Sequence, residues 1–230
     1  MRALTPWAVY WDGFRQALPL MIGNIPFGLV TGIAGAKANL NLLEITSMSA
    51  LVYAGAAQLV ALQMISTGST APFVLLASLV VNLRYLMYSS ALAKPLEALF
   101  GWRKALAGFL LVDQNFAMTV DRYPDLGAQL SPWFYLGAGT PIWINWVLFT
   151  VVGFLVGAQV PASWGLEFAV PLCFLTLLLP SIKDRPNLVA ALVGGLVATV
   201  LIGLPYRLGL FIGTVFGIGA GVWLENRTRR

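Results

Sequence analysis

Four side chains able to bind a charged small molecule sit inside one apolar stretch, VVNLRYLMYSS. Arg84 brings a permanent positive charge, Asn82 an amide, and Tyr85 and Tyr88 two phenols. Val81, Arg84, Tyr85 and Tyr88 follow i, i+3, i+4, i+7 spacing, which places them on one face of a helix. Further on, LLVDQNFAM carries Asp113, Gln114 and Asn115, and YAGAAQLVAL carries Gln58. A guanidinium can take a carboxylate and a carboxylate can take an ammonium, so this set suits a zwitterion. An unpaired arginine in hydrocarbon costs at least about 2.5 to 3.5 kcal/mol, which requires either a partner or an aqueous cavity. Asp113 is the candidate partner. The plainer alternative is a structural ion pair, with Asn82 and Gln58 as hydrogen-bond glue between helices. The tendency of intramembrane charges to line pathways favours a substrate or ion route.

Those groups are set in a chain of 230 residues that is 59% hydrophobic and 10% charged, where a soluble domain carries roughly 25% charged residues. Its mean hydropathy is +0.81. This is the composition of an integral membrane protein. The 14 basic and 9 acidic residues are scattered between apolar runs, which argues against nucleic acid as a partner. Histidine is absent, Cys173 is the single cysteine, and no second acid accompanies Asp113 at its depth, so no enzyme, metal centre or cofactor is expected. The opening MRALTPWAVYWDGFRQ lacks the short apolar core and small-residue cleavage site of a signal peptide.

Eight apolar runs approach the roughly 20 residues needed to cross a bilayer. They span about 17–36, 45–66, 71–93, 105–120, 133–156, 166–182, 187–204 and 208–224. Runs such as FVLLASLVV are apolar all round, which excludes a barrel. The expected fold is all-α: a polytopic membrane helical bundle of about seven to eight transmembrane helices, forming a single integral membrane domain over residues 1–230. With the N-terminus inside, eight basic residues fall on the cytoplasmic side against five outside, placing both termini in the cytoplasm. The loop with Lys94, Arg103 and Lys104 violates that bias. The fourth run, short and holding Asp113, Gln114 and Asn115, is the expected re-entrant or partly unwound segment.

Helical rise places Arg84 about 15 Å below Lys94, and Asp113 about 14 Å from Lys104 at the same end. Gln58 and Asn82 lie about 15 Å from the opposite side, so the polar groups share one midplane layer. Helix breakers add a second signal. GNIPFG sets Asn24 and Pro26 in the first run, GAGTPIWIN sets Pro141 and Asn145 in the fifth, and Pro171 interrupts the sixth. Backbone freed at Pro26 and Pro141 is expected to supply half-helix ends for substrate. Gly35-Ala36-Lys37 with Leu43-Glu44 is echoed by Gly157-Ala158-Gln159 with Leu166-Glu167, suggesting internal repeats of about 15–120 and 133–224. Paired broken helices in two weakly similar halves point to a secondary transporter.

GNIPFG, YAGAAQLVAL, VNLRYLMYSSALAK and LLVDQNFAM together resemble the AzlC family of branched-chain amino acid permeases, most distinctly over residues 12–125. Against the family phrases F-A-G-A-A-Q, N-L-R-H with a following L-Y, and D-E-x-F-A, the matching residues are Ala54, Gly55, Ala56, Ala57, Gln58, Asn82, Leu83, Arg84, Tyr88, Asp113, Phe116 and Ala117. The resemblance implies export of branched-chain or other small hydrophobic amino acids across a bacterial inner membrane, with a small AzlD-type membrane subunit as partner. Tyr85 stands where the family usually has His, and Gln114 where it usually has Glu. Both exchanges remove a titrating group, leaving Asp113 to carry any proton coupling. The residues expected to bind substrate are Asn24, Pro26, Gln58, Asn82, Arg84, Tyr85, Tyr88, Asp113, Gln114 and Asn145. The rival readings are a non-transporting structural subunit of a membrane complex, or a channel.

Overall fold

A computed structural model describes residues 5–157, 182, 184–204 and 208–228. The chain divides into two compact units, one of residues 1–68 and 74–170, the other of residues 69–73 and 171–230.

In the first unit, Thr5 caps α1 (Pro6–Lys37) by accepting the Ala8 N–H at 3.3 Å, and Pro6 occupies the first turn, where its missing donor is not needed. α1 runs without interruption through Pro19 and Pro26. The half-helix end expected at Pro26 is therefore absent: Pro26 withholds only its own N–H, and the helix continues because its other face packs tightly against α7 (Asp113–Gly157). The same holds at Pro141, which lies inside uninterrupted helix.

The segment expected as the second crossing, 45–66, folds instead as two short helices, α2 (Leu42–Leu51) and α3 (Gly55–Ser66). At 1.5 Å per residue each is about 15 to 18 Å long, half the hydrocarbon thickness. They form an antiparallel pair. The Gln58 amide donates to Ser49 Oγ at 2.6 Å, and Ile45 packs with Leu62. A reciprocal capping box between Asn41 and Glu44 starts α2, and Tyr53, at φ 44°, makes the turn. The chain thus enters from the Lys37 end, reverses, and leaves at the same end.

α4 (Ala71–Asn82) and α5 (Arg84–Leu92) join into one 22-residue crossing. At the junction the Leu83 N–H reaches the Val80 carbonyl at 3.2 Å and the Leu86 N–H reaches that of Leu83 at 3.0 Å, a local three-residue tightening. α6 (Trp102–Phe109) then enters from the other end, residues 110–112 turn, and α7 begins at Asp113.

α7 has 45 residues, about 68 Å of helix, more than twice what a crossing needs. Gly127 resolves the excess: at φ 64°, ψ 177° it takes a conformation reserved for glycine and folds α7 into two arms, 113–126 and 128–157. The arms lie antiparallel. A side chain on Gly139 would meet Asn115 and Leu110, and Met118 and Leu126 pack beside Phe134. α6 with the first arm is thus a second re-entrant pair, entering from the end opposite the first. The sequence expectation of a partly unwound fourth segment matches it.

The second arm runs parallel to α1 along a shared seam of small residues. A Cβ on Gly28 would lie 2.8 Å from the Phe149 Cβ, one on Gly32 would collide with the Thr150 carbonyl, and one on Gly157 would lie 2.9 Å from the Ile33 Cα. Close backbone approach of this kind drives helix association in lipid, where burial of apolar surface contributes little.

Residues 42–92 and 102–157 therefore share a plan, a half-depth hairpin followed by a crossing, traversed in opposite senses. Pro72 follows Tyr53, and Pro132 follows Asp113, by the same 19 residues. The repeats expected at about 15–120 and 133–224 rest partly on residues 158–181, including Pro171 and Cys173, which lie outside the described residues. In this arrangement Arg15, Lys94, Arg103, Lys104 and Arg122 share one end of the first unit with the start of α1, and Lys37 lies at the other. The charge violation seen in the sequence disappears once 45–66 is not counted as a crossing.

In the second unit, Asp184 caps α8 (Arg185–Val200) through the Asn187 N–H at 2.9 Å. α9 (Leu208–Thr228) returns against it: a Cβ on Gly213 would lie 2.6 Å from the Gly194 carbonyl, and one on Gly217 2.7 Å from that of Ala190. Gly209, Gly213, Gly217 and Gly221 form the four-residue glycine repeat of close helix pairing. The fold class is as expected, an all-helical membrane bundle. Among the described residues four helices are long and apolar enough to cross a membrane.

Opposed hairpins predict the pattern of thiol labelling in a Cys173→Ser background. Single cysteines at Asn39 and Thr70 react with an impermeant maleimide from the same membrane face, and cysteines at Glu97 and Asp121 react from the opposite one. Labelling of positions 39 and 70 from different faces would restore a straight second crossing.

Candidate functional site

The backbone is interrupted at Val52-Tyr53-Ala54, at Leu83 and at residues 110–112, and all three places converge. Tyr53 from the first hairpin contacts Phe109 from the second at 5.8 Å between ring centroids. The shared core includes Tyr53, Leu110, Leu111, Val112, Tyr135 and Trp146, with Tyr85 and Tyr88 packed on it. Non-helical backbone at membrane depth is tolerated only inside protein or beside water. The two hairpin turns meet that condition at Tyr53 and Ala54 and at Leu110, Leu111 and Val112, all buried, whereas Leu83 stays exposed within a continuous crossing.

Arg84 opens α5 and Asp113 opens α7, and the convergence joins them. Arg84 Nη1 donates to Asp113 Oδ2 at 2.9 Å, and the Tyr88 hydroxyl donates to Asp113 Oδ1 at 2.8 Å. The first turn of α7 adds its N-terminal dipole, which favours a carboxylate there. Tyr88 is fixed by stacking on Phe116 at 4.2 Å, and Arg84 lies 5.2 Å from the Tyr85 ring. The Arg84 and Asp113 side chains remain 25% and 36% exposed, so the pair is reachable rather than sealed. Arg84 Nε, and Asn82 Oδ1 two residues earlier in the chain, are buried without a hydrogen-bond partner. Unmatched groups of this kind are where a ligand gains affinity.

The remaining expected residues fall into place around this centre. Gln114 Nε2 donates weakly to Asn24 Oδ1 at 3.4 Å, which ties the second hairpin tip to the middle of α1. Pro26 lies two residues beyond, in regular helix. Gln58 is buried in its own network: it donates to Ser49 and accepts from Trp146 Nε1 at 3.3 Å. The structure thus brings Arg84, Tyr85, Tyr88 and Asp113 together and gives Gln58 to bracing the first hairpin against α7. Trp143 helps by donating to the Ala50 carbonyl at 3.2 Å. Asn145 is 2% exposed and its Oδ1 has no partner.

Tyr53, Phe109 and Tyr135 were not singled out in the sequence. Tyr135 braces the second hairpin, its hydroxyl donating to the Ala107 carbonyl at 2.6 Å. A cavity of about 160 Å³, lined by Ser89, Leu92, Lys104, Ala107, Leu111 and Tyr135 among others, leads from the Lys104 end toward the tip of this hairpin. At that end Arg122 donates to Asp12 at 3.0 Å and to Asp125 at 2.7 Å, clasping α1 to the first arm of α7 beside the Gly127 turn. Among the described residues no group of three or more His, Cys, Asp or Glu side chains is placed to hold a metal ion.

Comparison with known proteins converges on the same segments. Residues 19–160 match the family described as AzlC protein. The chain is 26% identical to the inner membrane protein YgaZ of Escherichia coli strain K12, covering 94% of this chain and 92% of that protein. It is 28% identical to an uncharacterized membrane protein of Archaeoglobus fulgidus over 86% and 87% of the two chains. It is 22% identical to the branched-chain amino acid transport protein AzlC of Bacillus subtilis strain 168, over 82% and 74%. No solved structure matches.

If Arg84 and Asp113 form a true pair, their removal is not additive. Thermal unfolding in detergent of Arg84→Ala, Asp113→Ala and the double variant gives a coupling of about 1 kcal/mol, because each single change strands the other charge. Strict additivity would mean that the two groups act apart.

Proposed function

This chain belongs to the AzlC family, and we propose that it is a secondary transporter exporting branched-chain or other small hydrophobic amino acids by alternating access. The observation that carries the proposal is an accessible ion pair, Arg84 with Asp113, held at the meeting point of two half-membrane hairpins that enter from opposite ends. Opposed hairpins offer two gates to one site, and movement of either tip exposes the centre to one side only.

A zwitterionic substrate competes for the pair it finds there. Its carboxylate takes Arg84, with the uncapped first turn of α3 as a second anion site, and its ammonium takes Asp113. Its side chain lies against the aromatic core of Tyr85, Tyr88 and Phe116. Exchange of one ion pair for two keeps every charge matched through the cycle, which a bare hydrocarbon site could not do. With Tyr85 and Gln114 neutral, any coupled proton is carried by Asp113.

The basic residues at the α1 N-terminal end, Arg15, Lys94, Arg103, Lys104 and Arg122, outnumber Lys37 at the other, which supports a cytoplasmic N-terminus. The exposed apolar side chains Leu79, Leu83, Leu86 and Met87 on α4 and α5 are available to lipid or to a small AzlD-type membrane subunit in a bacterial inner membrane. One observation favours the structural-subunit alternative: the ion pair already satisfies itself without substrate.

The two readings separate in proteoliposomes holding the chain with its partner subunit. Efflux of labelled valine, leucine and methionine falls at least about tenfold in Arg84→Ala and in Asp113→Asn, as expected for a lost charge-assisted contact. Unchanged efflux in both variants, or full efflux from the partner alone, would remove this site.

A further inference from the structure

Tyr53 is the polar side chain at the hairpin meeting point that the ion pair leaves unused. The residue is 3% exposed and its hydroxyl has no hydrogen-bond partner. Tyr135, in the same core, shows the ordinary arrangement, its hydroxyl bonded to a backbone carbonyl. An unmatched buried hydroxyl is unfavourable, and phenylalanine would fill the same space without it. Tyr53 also holds the turn of the first hairpin at φ 44°, a left-handed conformation uncommon for a bulky side chain. Strain of this kind persists where the surroundings fix it, and it clusters at binding sites.

The position of the hydroxyl relates it to the charged centre. Tyr85 links the two, with its ring 5.2 Å from the Arg84 guanidinium and packed against the buried core that holds Tyr53. A substrate anchored by its carboxylate and ammonium at Arg84 and Asp113 directs its side chain into the aromatic core that Tyr53 shares. Resting on the zwitterion reading above, we propose that the Tyr53 hydroxyl recognises substrate side chains, hydrogen-bonding a hydroxyl so that the substrate class extends beyond hydrophobic amino acids to the β-branched threonine, which the site prefers over its isostere valine.

Valine and threonine have nearly the same shape, so an apolar pocket separates them weakly, whereas a site with a waiting hydrogen-bond group disfavours the partner that leaves it unmatched. Competition binding to the purified complex measures the threonine-to-valine affinity ratio. The parent prefers threonine by at least about tenfold, and Tyr53→Phe brings the ratio to about one by weakening threonine alone. Tyr135→Phe, whose hydroxyl is structural, lowers thermal stability and keeps the parent ratio. An unchanged ratio in Tyr53→Phe, or an equal change in Tyr135→Phe, would overturn the assignment. Loss of all amino acid binding in the parent would overturn the zwitterion site itself, and this inference with it.

Discussion

The structure depends on matching one positive charge at the middle of the membrane. Arg84 cannot remain unpaired there, and no residue on its own helix can neutralise it. The carboxylate comes from Asp113, at the start of a helix that begins halfway through the bilayer. A carboxylate at that depth and a helix N-terminus at that depth are the same structural fact. The interrupted chain supplies both, and the dipole of α7 reinforces the charge it holds.

An interrupted chain brings its own requirement, since turn backbone exposed to lipid would lose its hydrogen bonds. Two hairpins entering from opposite ends meet it together. Tyr53 of one tip packs on Phe109 of the other, and Trp143, Trp146 and Tyr135 from the second arm of α7 hold the two tips in place through the Ala50 carbonyl, Gln58 and the Ala107 carbonyl. The parallel seam of α1 and α7 is the frame for this arrangement. Its glycines let the backbones touch, so the frame is rigid without apolar burial as a driving force. A close-packed frame carrying two opposed short hairpins is the plan on which the proposed alternating exposure of one site rests.

Much of this was legible in the residues, and the rest was hidden for physical reasons. Composition fixed the helical membrane class, and helical rise from Lys94 and Lys104 set Arg84 and Asp113 at one depth, where the structure pairs them. The polar run Asp113-Gln114-Asn115 marked the second hairpin. The first hairpin left no such mark: residues 45–66 hold no charged residue and no proline, and the turn is made by Tyr53, a residue whose type does not announce a positive φ. Pro26 and Pro141 misled in the other direction, because a proline in a well-packed membrane helix withholds one bond without ending the helix. Counting 45–66 as a crossing also inverted the assignment of Lys94, Arg103 and Lys104, which made a regular charge distribution look irregular. Gln58, expected in the polar layer with the charges, has Ser49 and Trp146 as its partners rather than the ion pair.

What the account requires above all is that two hairpin tips from opposite membrane faces touch at one point. Cross-linking of Tyr53→Cys with Phe109→Cys by a short bifunctional thiol reagent, in a Cys173→Ser background, tests that contact directly. The account predicts efficient intramolecular cross-linking, slowed when a transported amino acid is bound between the tips. Absence of the cross-link in folded, membrane-inserted protein, with both cysteines reactive toward monofunctional reagents, would contradict it.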